Sequence, residues 1–227
     1  MGTDDIFKIR RQQRQKRKKE YLKPKVNSFL IVTEGKCTEP YYFEGIEKLI
    51  AEKVGGIVDI VAAPKIDIIG KGMSSMKLVD ATSEIVKNAK VMYQNIWVVF
   101  DKDDFEDFDE AIIEGKRRGY NIAWTNQAFE YWLYLHFHYS DSALHRDDWN
   151  KKLDILFKEY NLREKGYEKN DKDLFNLLNE FRGPQVAIKN AKRRMSKYKR
   201  NEYKPSDYDP GTTVHLLVEA LLVYLEE

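Results

Sequence analysis

Apolar residues follow two alternating periods along the first half of this chain. Within Val26–Thr33, Phe29-Leu30-Ile31-Val32 runs without a polar interruption, the pattern of a strand buried on both faces. A helix is predicted from about Glu39 to Lys53. Tyr42, Ile46, Leu49 and Ile50 recur there at helical spacing, Thr38 suits its N-cap, and Pro40 falls early enough to be tolerated. Ile57–Ala63 reads as a second strand and Pro64–Met73 as a glycine-containing loop. Ser74 or Ser75 opens a second helix to about Lys90, with Met76, Val79 and Val86 inward. Asn95–Phe100 is a third strand, Glu106–Arg118 a third helix stopped by Gly119, and Tyr120–Trp124 a fourth strand.

From Ala128 onward the period is helical throughout, over 129–137, 147–160, 171–181, 184–198 and 212–226. In the last of these, Val214, Leu217, Val218, Leu221, Leu222 and Leu225 make one apolar face. Four strands separated by three helices predict a parallel sheet with crossover connections. The expected fold is α/β: a Rossmann-type, mostly parallel sheet of about four strands flanked by helices, followed by an α-helical C-terminal section. Residues 1–25 are expected to form a flexible arm, 26–140 the α/β domain, and 141–227 the helical section packed on it. Lys23-Pro24-Lys25 marks the first boundary, because proline disfavours helix at the residue before it.

Composition supports a folded domain, with 42% hydrophobic residues in a chain of 227. The single cysteine, Cys37, excludes an internal disulfide and a thiolate zinc cluster, and reads as a small buried residue. No apolar run approaches the roughly 20 residues of a membrane span, and no signal-peptide core is present at the N-terminus. A cytoplasmic protein without a membrane partner is expected. Charge is unevenly spread. Residues 8–25 hold ten Lys/Arg against Glu20 alone, whereas the chain from Val26 onward is mildly acidic. Such an arm either binds a phosphate backbone or is a solvated tail that aids solubility.

Chemistry concentrates where two strands are predicted to end. Thr33-Glu34-Gly35 follows the first strand and Asp101-Lys102-Asp103-Asp104 the third. In an open α/β sheet, ligands bind at that edge. If the strands are neighbours, Glu34, Asp101 and Asp103 converge. Two unit charges about 4 Å apart cost roughly 4 kcal/mol at an effective dielectric near 20, so a partly buried cluster protonates or holds a cation. Mg²⁺ suits such a site, with Mn²⁺ as an alternative, because it takes a few carboxylates and keeps waters. The other reading is a set of solvated loop acids at the start of a helix. Lys36 and Lys102 flank the acids, and Lys71 lies between Gly70 and Gly72 in a loop at the same edge, where each could contact phosphate. Gly35-Lys36-Cys37-Thr38 is not a P-loop, since Leu30 stands where its first glycine should be.

These segments resemble the Toprim pattern, a Glu after the first strand and Asp-x-Asp after a later one. A closer resemblance is to the RloB/AbiLii-like family of prokaryotic defence proteins. It is carried by Thr33-Glu34-Gly35 with Thr38-Glu39-Pro40-Tyr41-Tyr42-Phe43, by Asn126 with Phe129-Glu130-Tyr131-Trp132-Leu133, and by Thr212-Thr213-Val214-His215-Leu216-Leu217-Val218-Glu219. It spans about residues 26–227. The resemblance implies a Toprim-like fold, a Mg²⁺-dependent nuclease-type centre acting on DNA or RNA, and a role in abortive infection beside an ATPase partner. It makes Glu34 a general acid/base that also faces the metal, and Asp101 and Asp103 metal ligands. Asp104 either assists them or caps the next helix. No tyrosine stands in a recognisable nucleophile context, so hydrolysis is expected rather than strand passage.

Asn126 and Glu130 follow the fourth strand, and i,i+4 spacing would place them on one helix face. By the resemblance Glu130 completes the centre and Asn126 orients substrate or a loop; the plainer reading is an ordinary helix start. His136 and His138 read as packed or surface residues rather than ligands. Residues 189–204 are strongly basic, and Arg193, Arg194 and Lys197, with Tyr198 and Tyr203 as stacking surfaces, form a second candidate nucleic-acid face. The rival function is a non-catalytic module that binds nucleic acid or its partner, with a structural metal. Oligomeric state is not legible.

Overall fold

The computed structural model describes residues 28–54, 58–62, 74–90, 92–102, 104, 106–198 and 203–226. The N-terminal arm, Lys71 and Asp103 therefore lie outside the described residues. Strand β1 (Phe29–Thr33) leads to helix α1 (Thr38–Val54), strand β2 (Val58–Ala62), helix α2 (Ser75–Asn88) and strand β3 (Asn95–Lys102). Helix α3 (Phe108–Arg117) and strand β4 (Asn121–Asn126) complete the alternation. Helices α4 (Glu130–Tyr134), α5 (Arg146–Glu159), α6 (Leu174–Phe181), α7 (Pro184–Met195) and α8 (Val214–Glu226) follow.

Every strand pairing in the sheet is parallel, in the order β2-β1-β3-β4. Strand β1 is central, and this explains its unbroken apolar run. Phe29 and Ile31 enter one core while Leu30 and Val32 enter the other. The first core lies between the sheet, α1 and the C-terminal helices, and includes Tyr42, Ile46, Trp132, Trp149, Phe175, Leu217 and Leu221. The second lies under α2 and α3, with Leu78, Val79, Phe108 and Ile112. The mixed α/β architecture, parallel pairing and C-terminal helices match the periodicity. Residues beyond 140 share a core with β1 rather than building one of their own. No helix among the described residues is long and apolar enough to cross a membrane.

Two strand ends differ from the sequence reading, and both differences bear on the site. Strand β3 continues through Asp101 and Lys102, which pair with Thr125 and Asn126. Strand β4 likewise runs to Asn126, and Gln127 follows with φ at +74°. Asn126 and Glu130 therefore do not share a helix face, because α4 begins at Glu130. Beyond β4, Thr125 bridges Thr212 in antiparallel sense and their hydroxyls lie 3.0 Å apart. The bridge extends pairing past the parallel sheet, a long-range contact that no local period announces.

Candidate functional site

The register of β1 on β3 sets the site. Glu34, one residue past β1, donates its backbone N–H to Val99 O at 2.9 Å, so the parallel ladder continues into the turn. Its Oε2 in turn accepts the Asp101 N–H at 3.3 Å. Asp101 Oδ2 accepts the Phe129 N–H at 2.9 Å, tying β3 to the entry of α4. Two acids 67 positions apart are thus brought together by the register of the strands and by a side-chain-to-backbone hydrogen bond. The convergence expected of Glu34 and Asp101 is present, with Asp101 inside the strand rather than past its end.

Two further carboxylates join them. Glu39, second residue of α1, is 8% exposed, and Glu130, first residue of α4, is 3% exposed. Glu39 folds back over Gly35: a Cβ added at Gly35 would stand 2.0 Å from Glu39 Oε2. Glycine leaves that space open to the Glu39 carboxylate, which would have to shift for any larger residue. Glu130 Oε1 accepts the Tyr167 hydroxyl at 3.2 Å and is paired with Lys169 Nζ at 2.9 Å. Both partners arrive from the segment between α5 and α6. The Lys169 carbonyl accepts the Thr38 hydroxyl at 3.1 Å, which fixes that segment to the start of α1.

The electrostatics follow from this crowding. Burial pushes the Asp101 carboxyl well above the usual carboxylate range, and Glu39, Glu34 and Glu130 push it the same way. Burial likewise raises Glu39 to about 7; Glu130 adds to the rise, while backbone N–H groups and the Lys169 charge oppose it. Tyr167 is raised well above its ordinary range by burial and by Glu130. Near neutral pH the centre therefore retains protons that ordinary carboxylates would have shed. Its donor set is hard oxygen, the ligand type of Mg²⁺ or Mn²⁺. As the side chains stand, no three His, Cys, Asp or Glu groups among the described residues close into a coordination sphere.

The other predicted residues are dispersed. Lys36 is exposed in the turn before α1. Lys102 is half-buried; burial raises the Asp209 carboxyl, and the Gln127 hydrogen bond and the Lys102 charge oppose that rise. Asp104 is exposed and does not cap α3; Asp107 takes that position and accepts the Met76 N–H at 3.1 Å. Asn126, 1% exposed, is held by the loop before α8: its Nδ2 donates to Ser206 O at 2.9 Å and its N–H to Gly211 O at 2.8 Å. His136 is fully buried, 3.0 Å from the Tyr42 hydroxyl, and burial lowers it to about 3, so it stays neutral in the core. His138 is exposed. Cys37 is only half-buried.

On α7, Arg193 is exposed, with its guanidinium over the Tyr139 ring at 4.1 Å, and Lys197, two residues past the helix end, is exposed. Arg194 is occupied internally: Nε donates to Pro210 O at 2.9 Å and a terminal nitrogen to Asp209 O at 3.2 Å. Tyr198 stacks on Tyr208 at 4.2 Å, and Arg194 lies over its ring. Of the two tyrosines expected to stack on bases, Tyr203 is the more open, at 46% exposed.

Glu39, Tyr167 and Lys169 were not anticipated as site residues. Glu39 carried a signal, since it stands in the Thr38-Glu39-Pro40 segment, but an acid in the first turn of a helix is ordinarily explained by the helix dipole. Tyr167 and Lys169 lie in an aperiodic stretch and carried none. A family model described as RloB-like protein matches residues 29–221, which include all four acids and Lys169. No curated protein and no solved structure matches the chain.

Proposed function

The chain belongs to the RloB-like protein family, and from that premise we propose that it is a Mg²⁺-dependent phosphodiesterase of nucleic acid. In this reading its sheet is of Toprim type, and it works in the cytoplasm in prokaryotic antiviral defence, beside an ATPase partner. The observation that carries the proposal is the gathering of Glu34, Glu39, Asp101 and Glu130 at the carboxyl edge of β1 and β3, with Asp101 raised well above the usual carboxylate range by burial and, in the same direction, by its acidic neighbours. Burying like charges together is costly unless a cation or substrate chemistry uses them.

Asp101, with Asp103 two positions on in sequence, would hold the metal, and Glu39 lies within electrostatic reach of Asp101. When bound, Mg²⁺ supplies charge neutralisation at the phosphodiester and eases ionisation of water. Glu34 takes the proton from the attacking water and returns it to the leaving oxygen. Asp101 is held for this task by the Phe129 N–H, and Glu34 by the Asp101 N–H. Cleavage of labelled DNA and RNA with Mg²⁺ or Mn²⁺ tests the proposal. Asp101→Asn and Glu34→Gln should each lower the rate about 10³-fold or more while the fold and nucleic-acid affinity persist. Full activity in both variants contradicts it.

A non-catalytic binding module is the second reading, favoured by the Lys169–Glu130 pair, which offsets part of the acidic charge without any metal. Metal binding with no cleavage of either nucleic acid, even with the partner present, would select it.

A further inference from the structure

A cation is brought to the acid centre from outside the sheet. Lys169 Nζ reaches Glu130 Oε1 at 2.9 Å, yet the lysine side chain remains 57% exposed while the Glu130 side chain is 4% exposed. A buried carboxylate is therefore paired with a lysine whose side chain is more than half exposed. The backbone around it is held firmly. Thr38 bonds the Lys169 carbonyl, Arg163 bonds Asp171 at 2.8 Å, and Gly166, at φ +91°, lets the chain pass against Asp154. The anchor is thus fixed, while more than half of the side chain is open to solvent.

Lys169 also forms part of the wall of an open cavity with Asn150, Lys151, Asp154, Ile155 and Tyr167. Tyr167 touches Glu130 from the same side. Two residues that contact Glu130, Tyr167 and Lys169, both line this cavity, whose wall also carries Lys151 and Asp154. Lysine binds phosphate as a compact point charge on a flexible stem, and it does not need the planar geometry that arginine imposes.

We propose that Lys169 is the phosphate-gripping residue of this centre, and that it and a divalent cation are competing counter-ions for Glu130. In the metal-free protein Lys169 neutralises Glu130; once the carboxylates are otherwise balanced, the ammonium serves the anionic substrate in the cavity. This rests on the phosphodiesterase reading, but it makes a claim about binding that cleavage does not decide.

The test is calorimetric titration of the full chain with Mn²⁺ alone, together with equilibrium binding of a short fluorescent single-stranded oligonucleotide. Lys169→Met should tighten Mn²⁺ binding about fivefold, because a competitor is gone. The same substitution should weaken oligonucleotide binding about tenfold. Lys169→Arg keeps the charge and grips Glu130 with two donors, so it should bind Mn²⁺ more weakly than the parent and largely preserve oligonucleotide binding. A lysine that is only structural would move both affinities of the Met variant downward together, and that result overturns the proposal. Unchanged Mn²⁺ affinity in both variants, or no Mn²⁺ binding by the parent chain, overturns it as well. If the parent binds both ligands and cleaves nothing, the phosphodiesterase reading fails, while the opposite-signed shifts still decide Lys169.

Discussion

At the carboxyl edge of β1 and β3 the fold draws like charges inward; along α7 it turns them outward or ties them to carbonyls. Glu39 and Glu130 are buried beside Asp101, and their main described counter-charge is one half-exposed lysine. On α7, by contrast, Lys192 pairs with Glu219, Arg193 covers Tyr139, and Arg194 holds the Asp209–Pro210 backbone. Both regions were candidate functional surfaces in the sequence, one by pattern and one by charge count. The difference teaches that a charge run says little until its partners are known. Acids at the ends of adjacent strands have their meeting place set by the sheet.

The comparison can be broken first at Glu39. Its carboxyl is raised from 4.5 to about 7, so the folded chain holds a proton there that the unfolded chain releases. Stability of the metal-free protein should therefore be undiminished below about pH 4.5 and fall as pH rises towards 7, on the order of 2–3 kcal/mol from this group. Asp101, raised for the same reason, contributes with the same sign. Glu39→Gln should flatten the fall in urea unfolding measured between pH 5 and 8, and at pH 8 it should weaken Mn²⁺ binding about 10- to 100-fold. A flat profile in the parent chain would remove the case for a crowded, proton-holding centre.

Smaller effects should sharpen the contrast along α7. Arg194→Ala removes charged donors from two backbone carbonyls and should cost about 2 kcal/mol in thermal or urea unfolding. Arg193→Ala and Lys197→Ala should leave stability within about 0.5 kcal/mol. If this face touches nucleic acid, each should reduce the slope of log affinity against log salt by about one. An Arg194→Ala variant of parent stability but weakened nucleic-acid binding would reverse the assignments.

Much of this architecture was legible because its signals are local. The apolar run of β1, the helical spacing of Tyr42, Ile46 and Ile50, and the apolar face of α8 each specify their element within one window. Glu34 and Asp101 were legible because strand ends in an α/β sheet share an edge. What stayed hidden depends on long-range partners. Lys169 is brought to Glu130 by a loop pinned through Thr38, 131 positions away. Asn126 has its role set by Ser206 and Gly211, and Arg194 by a turn after α7. The two extra residues at the ends of β3 and β4 likewise reflect pairing with each other rather than apolar pattern.

The account turns on whether the four acids serve a cation. Anomalous diffraction from crystals grown with Mn²⁺ tests this most directly. The predicted result is a peak beside Asp101, on the side of Glu34 and Glu39, lost in the Asp101→Asn variant. Well-ordered crystals in which those carboxylates bind no metal, at Mn²⁺ concentrations that support any activity of the chain, would contradict it.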